Sequence, residues 1–263
     1  MMMMSSSHKK TMKSSSSFVP TAVLLFGMLF LTSPLSVLAD FDFYYFVLMW
    51  PGTYCEQSKC CHPTTGYPVQ DFFIRSLQPT NISYETDTKC SSEPFYKNKL
   101  YNLMDYLNTY WSNIKCPSNN GMSAWKSTWK TYGTCTGLDE YNYFYTALVL
   151  RHHAFDLLSI LENNGITPDI SQKYSLTSIK EAIAKGIGTK PQIKCNSKDQ
   201  LYEVYICLDK AALTTIECPE DLGFTCATDI YFPPVNQTKL NHTMPNFDKD
   251  FMARKIIMPI SLE

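Results

Sequence analysis

Several things are scarce or missing in this 263-residue chain, and each absence narrows the choices. Its ten cysteines contain no Cys-x-x-Cys pair, and the adjacent Cys60 and Cys61 are poorly placed to share one metal, which argues against a zinc site. An excess of positive charge is also missing: 23 lysines and arginines face 24 aspartates and glutamates. Proteins that bind nucleic acid through counterion release are normally basic, so global charge opposes strong nonspecific RNA binding. After residue 38 no apolar run is long enough to cross a bilayer. Histidine is sparse, with five in all: His8, His62, His152, His153 and His242. None lies in "AWKSTWKTYGTC" (124–135), where two tryptophans four residues apart mark one helical face.

What is present begins with a targeting segment. Lys9, Lys10 and Lys13 form a basic start, an apolar run follows from Phe18 to Leu38, and "SVLAD" offers small residues for cleavage before Asp40. Thr32, Ser33 and Pro34 interrupt the run and argue against a membrane anchor. Residues 1–39 therefore read as a signal peptide, and removing its three lysines leaves 20 basic against 24 acidic residues, a net charge of −4. All ten cysteines follow it, an even number that in a secreted chain implies five disulfides. The sequons at Asn81, Asn236 and Asn241 fit a glycoprotein of the secretory route.

Periodicity predicts a mixed α+β domain. "FYYFVLMWP" (43–51) and "DFFIRSLQP" (71–79) read as strands, the second with Phe73, Arg75 and Leu77 on one face and Phe72, Ile74 and Ser76 on the other. Helices are expected over 92–107 after a serine cap, over 122–131 with a stop at Gly133, over 138–165, and over 175–188 capped by Ser175. "LYEVYICLD" and "AALTTIECP" predict a late hairpin. From Pro234 the chain turns polar and aperiodic, a tail that ends in the apolar "IIMPISLE". Two readings of it stand: an extension without a role, or an address or removable propeptide that directs the protein to the vacuole.

"FVLMWPGTYC", "CCHPTTGYP", "DFFIRSLQP", "KCPSNNG" with "W…W…YGTC", "GITPD", "YSLTSIKEAI" and "LYEVYICLD…IECP" follow one another in order across residues 43–233. Together these blocks resemble the ribonuclease T2 family, in particular the secreted S-like ribonucleases of plants. The resemblance implies an antiparallel sheet core with flanking helices. It also implies the pairing Cys55–Cys60, Cys61–Cys116, Cys90–Cys135, Cys195–Cys226 and Cys207–Cys218. Residues 40–233 are then the family domain and 234–263 a C-terminal extension.

The family's chemistry does not carry over onto these residues. Its first active-site segment is Phe-x-Ile-His-Gly-Leu-Trp-Pro, and here Arg75 stands at the histidine, Ser76 at the glycine and Gln78 at the tryptophan. Its second is Trp-x-His-Glu-Trp-x-Lys-His-Gly-Thr-Cys, and here Ser127 stands at the first histidine, Thr128 at the glutamate, Thr131 at the lysine and Tyr132 at the last histidine. Cleaving RNA to a 2′,3′-cyclic phosphate takes a base for the 2′-hydroxyl and an acid for the leaving 5′-oxygen, both titrating near the working pH. Arginine stays protonated throughout that range, and serine and tyrosine are very weak bases there. The lost lysine and glutamate would have stabilised charge on the phosphate. Met49 and Ala124 stand where the family commonly has a glutamine and a phenylalanine for the base, a hydrogen-bonding group and a stacking ring.

Helical spacing places 127, 128, 131 and 132 on one face, with Lys126 and Lys130 turned to solvent and Trp125 and Trp129 in the core. His62, His152, His153 and His242 fall outside both motifs and read as surface or structural residues. The expectation is a secreted, catalytically inactive relative with a non-enzymatic role: storage, defence or stress, or weak binding of single-stranded RNA. The alternative is a ribonuclease with residual activity. No cofactor or metal is called for, the mature form has no membrane segment, and no protein partner is indicated.

Overall fold

The computed structural model describes residues 41–66, 69–219 and 222–236, apart from the side chains of 153 and 154. The signal segment, Asn241, His242 and the extension beyond Asn236 lie outside the described residues.

A near-continuous apolar run makes β1 (Phe43–Met49) the central strand, buried on both faces. It pairs antiparallel with β2 (Phe73–Thr80) on one side and with β5 (Leu201–Asp209) on the other. β4 (Gln192–Cys195) and the two-residue β6 (Thr215–Ile216) add to β5, and a second, two-stranded sheet joins β3 (Asp169–Ser175) to β7 (Asp229–Phe232). Tyr44, Phe46 and Leu48, with Val204, Ile206 and Leu208, turn toward the helices and meet Leu100, Leu107, Tyr143 and Phe144 in the main core. Phe43, Tyr45 and Val47 turn the other way, toward Cys207 and Cys218.

The strand face expected for β2 is corrected by a β-bulge. Val47 pairs with Ser76 and Leu48 with Ile74, so Arg75 is the extra residue without a partner across the ladder. The slip turns Leu77 onto the side of Phe72 and Ile74, and these three share the main core while Phe73 packs elsewhere. Arg75 alone in β2 is exposed to solvent.

The helices are α1 (Pro51–Gln57), α2 (Met104–Tyr110), α3 (Met122–Thr131), α4 (Glu140–Val149), α5 (Leu157–Glu162) and α6 (Leu176–Ile187). Residues 92–96 are not helical. A 3₁₀ turn over Lys97–Leu103 leads into α2, because the two oxygens of buried Glu140 accept from the Tyr96 amide at 3.0 and 2.9 Å and fix the chain before the turn. The long helix expected over 138–165 is interrupted by a π segment at Leu150–Ala154 and a break at Phe155, after which Asp156 caps α5. The cause is Arg151. It is buried, ion-pairs with Asp71 at 2.5 Å, and donates to the carbonyls of Phe72 at 2.9 Å and Phe155 at 3.1 Å. Ser175 caps α6 and Gly188, at φ 91°, ends it as expected.

All five disulfides join the cysteines that the resemblance implied: 55–60, 61–116, 90–135, 195–226 and 207–218. Cys61–Cys116 and Cys90–Cys135 span 55 and 45 residues. Loops of that length stabilise by about 4 kcal/mol each in the chain-entropy account. Cys90–Cys135 holds the 89–95 segment to the end of α3, where the Lys89 amide also donates to the Thr131 carbonyl at 2.8 Å.

Candidate functional site

The site is built from α3 and from one face of the sheet. Trp125 and Trp129, wholly buried, anchor α3. The Trp125 indole donates to the Trp111 carbonyl at 2.9 Å, and the Trp129 ring lies 5.8 Å from that of Tyr143. Tyr143 in turn donates to the Leu77 carbonyl of β2 at 2.9 Å, so α4 ties α3 to the strand that carries Arg75. Gly133 ends α3 for a reason other than a left-handed turn. Its φ is ordinary, and a Cβ there would lie 2.1 Å from Trp129 Cε3.

With the tryptophans inward, α3 presents Ser127 exposed and Thr128 and Thr131 half-buried, and Tyr132 follows as its C-terminal cap. Lys126 and Lys130 are exposed, as the helical spacing predicts. On the sheet, the bulge aims Arg75 at Glu203 of β5, with Nε 3.8 Å from the carboxylate. Glu203 is 4% exposed and is also held by Lys194 Nζ at 3.3 Å and by the Tyr205 hydroxyl, which donates at 3.1 Å. Lys194 and Glu203 are register partners of β4 and β5, so the ladder itself places this pair. No hydrogen bond or ion pair among the described residues links Arg75 to Ser127, Thr128, Thr131 or Tyr132.

The chemistry open to this cleft follows from its titratable groups. Burial, reinforced by Glu203, pushes the Tyr205 phenol far above its ordinary range, and burial then Glu203 raise that of Tyr202. Neither phenol supplies a base near neutral pH. Glu203 faces two cations and a phenol that occupy its oxygens, and Arg75 is a fixed cation. The positions expected for the base do not form an open subsite: Met49 is buried against Phe73, Cys55 and Ile114, and Ala124 is half-buried on α3. Of the histidines in the described part, His152 lies on the π segment with Nδ1 3.2 Å from the Tyr110 hydroxyl, and His62 follows the paired cysteines. Neither is on β2 or α3. No group of three or more histidine, cysteine or acidic side chains suited to a metal occurs among the described residues.

Reading the sequence alone misses Glu203, Lys194 and Tyr205. Their one signal is a charged residue inside each of two apolar strands, "QIKC" and "LYEVYICLD", and only the pairing register brings the charges together.

Comparison with known proteins places this cleft in context. The profile of the Ribonuclease T2 family matches residues 41–218. Extracellular ribonuclease LE of Solanum lycopersicum is 40% identical over 218 residues, covering 78% of this chain and 94% of that protein. Intracellular ribonuclease LX of the same plant is 39% identical over 201 residues, covering 74% and 84%. The crystal structure of RNase NT in complex with 5′-AMP superposes with a TM-score of 0.70 at 39% identity, over 74% of this chain and 99% of that one.

Proposed function

The chain belongs to the ribonuclease T2 family, and on that premise we propose that it is a catalytically silent member. Its role is non-enzymatic: storage, defence or stress, or weak binding of single-stranded RNA. The observation that carries this reading is the composition of the cleft. The five positions that the family motifs align with the acid, the base and the charge stabilisers hold Arg75, Ser127, Thr128, Thr131 and Tyr132. None exchanges a proton readily between pH 4 and 8. Glu203, the carboxylate that Arg75 meets, is also covered by Lys194 and Tyr205. Transesterification in such a cleft lacks a base to take the 2′-hydroxyl proton and an acid to give one to the 5′-oxygen.

Binding is a separate matter. Arg75 and Lys194 against Glu203 leave one net positive charge on the sheet face, enough to hold a phosphate weakly and in a salt-dependent way. RNase NT binds 5′-AMP, which supports nucleotide affinity as a property this fold can retain. With a signal peptide over 1–39, the protein enters the secretory route and is secreted, or is diverted to the vacuole by residues 234–263. The similar ribonucleases include an extracellular and an intracellular one. Asn81, Asn236 and Asn241 are the glycan acceptors. Asn81 suits that role, because its Oδ1 accepts from the amides of Ser83 and Glu85 at 2.9 and 3.0 Å in an exposed turn.

The test is cleavage of one RNA substrate by this protein and by ribonuclease LE, side by side from pH 4 to 8. Loss of both acid–base roles predicts a rate at least about 10⁴-fold lower. Turnover within tenfold of ribonuclease LE would overturn the reading in favour of a working endoribonuclease.

A further inference from the structure

Glu140 is a buried titratable group outside the cleft. It opens α4 directly after the cap residue Asp139 and is wholly buried, yet no lysine or arginine ion-pairs with it among the described residues. Its hydrogen-bond donor is a single backbone amide, that of Tyr96, which lies 3.0 Å from one oxygen and 2.9 Å from the other. An ionised carboxylate has room for about four hydrogen bonds. Taking one out of water costs free energy unless new partners replace its hydration, and one shared N–H replaces little of it.

The segment between Cys90 and Leu100 covers this carboxylate. Cys90 is fixed by its disulfide to Cys135 and Leu100 by the main core, while the residues between them are exposed except for half-buried Phe95. Among the described residues, the polar tie from 91–99 to the rest of the domain is the Tyr96 amide on Glu140. Phe95 adds an edge-on ring contact with Phe144 at 6.1 Å. The other polar contacts are internal: Lys99 meets Glu93 at 3.8 Å and lies over the Tyr96 ring. Lifting Tyr96 off Glu140 therefore returns the carboxylate to water while both ends of the segment stay anchored.

The two protonation states of Glu140 tolerate that cover unequally. Burial raises its pKa above the ordinary glutamate value; the Tyr96 amide and Lys99 pull it down, Glu93 and Asp139 push it up, and burial prevails. Lys99 and Glu93 act from the covering segment and Asp139 from the cap of α4. A carboxyl raised in this way contributes stability that is present below its unfolded value and is lost as pH rises through its folded one. We propose that Glu140 is a proton-operated clasp, which closes segment 91–99 over the start of α4 in acid and loosens it toward neutral pH. The neutral carboxyl still offers an oxygen to the Tyr96 amide and buries no charge. Ser92–Phe95 also line a depression with Lys126, Trp129 and Lys130 of α3, so the clasp acts on the cover of the helix that carries Ser127, Thr128 and Thr131.

The test is amide hydrogen exchange at Tyr96 in the full protein, expressed as a protection factor so that the intrinsic pH dependence of exchange cancels. Protection in the wild type should fall severalfold from pH 4.5 to pH 7.5. Glu140→Gln keeps the shape and an acceptor oxygen without the charge. Its Tyr96 protection should exceed that of the wild type at pH 7.5 and should not change with pH. The Glu140 carboxyl resonance, assigned by its absence in that variant, should titrate above exposed glutamates, which lie near ~4.3. Wild-type protection that stays constant or rises with pH would overturn the proposal. So would a Glu140→Gln protein no better protected than the wild type at pH 7.5, or a Glu140 carboxyl that titrates with exposed glutamates or below them. The readout involves no RNA, so its failure would leave the silent-cleft reading standing.

Discussion

Replacing Arg151 by methionine removes the cation that joins the π segment to the start of β2. In the native protein this guanidinium pairs with Asp71 at 2.5 Å, donates to the carbonyls of Phe72 and Phe155, and lies 5.3 Å from the Tyr110 ring. Methionine fills much of the same volume, so the cavity contribution is small and the electrostatic one dominates. Asp71 keeps only the Phe72 amide, at 2.6 Å. Breaking a buried pair from one side costs about 3–5 kcal/mol. With a urea slope of about 2 kcal/mol/M, the midpoint falls by about 2 M. The pH dependence gives the cause a signature. Burial already raises the Asp71 pKa against the pull of Arg151, and removing the arginine raises it further. A raised folded-state carboxyl contributes stability that is present below the unfolded value near ~4 and is lost as pH rises through the folded value. Arg151→Met should therefore be penalised less at pH 5 than at pH 8, and Asp71→Asn/Arg151→Met should regain part of the loss. Urea unfolding with the disulfides intact measures all three. A loss under about 1 kcal/mol at pH 8, or a larger loss at pH 5, would refute the reasoning.

Two further outcomes are expected. Gly133→Ala places a Cβ 2.1 Å from Trp129 Cε3, and overpacking of this kind costs about 1–3 kcal/mol, so thermal unfolding should move down by several degrees; an unchanged midpoint would show that α3 does not depend on this contact. Residues 234–263 fused to a secreted fluorescent reporter in plant cells should carry it to the vacuole if they are an address; a reporter that still accumulates outside the cell makes them a plain extension.

The parts legible in the sequence are those whose signal is local. β1 is a run of seven apolar and aromatic residues, α3 repeats tryptophan at a helical interval, and α6 has both of its caps in the chain. What stayed hidden depends on distant partners. The bulge at Arg75 appears only when β2 is set against β1, and it reverses the face of Leu77. "LVLRHHAF" is compatible with helix throughout, and its π segment follows from the bonds of Arg151 to Phe72 and Phe155, one of them 79 residues away. β3, "DISQKYS", is polar and mostly exposed, so no alternation marks it until β7 returns beside it. Of the candidate site, Arg75 and the α3 positions were legible through the family motifs. The Glu203 cluster needed the strand register.

We propose that this site keeps the family scaffold and lacks the side chains that move protons and hold charge. Restoring them together, as Arg75→His/Ser127→His/Thr128→Glu/Thr131→Lys/Tyr132→His, tests it most directly, with release of a 2′,3′-cyclic phosphate from RNA as the readout. Wild-type protein and each single variant should stay near background, because these groups act as a unit. The fivefold variant should exceed wild type by at least about 10²-fold, the contribution of one acid–base role. A fivefold variant that folds with all five disulfides and cleaves no faster than wild type would contradict the account, as would a wild-type rate already at the level of ribonuclease LE.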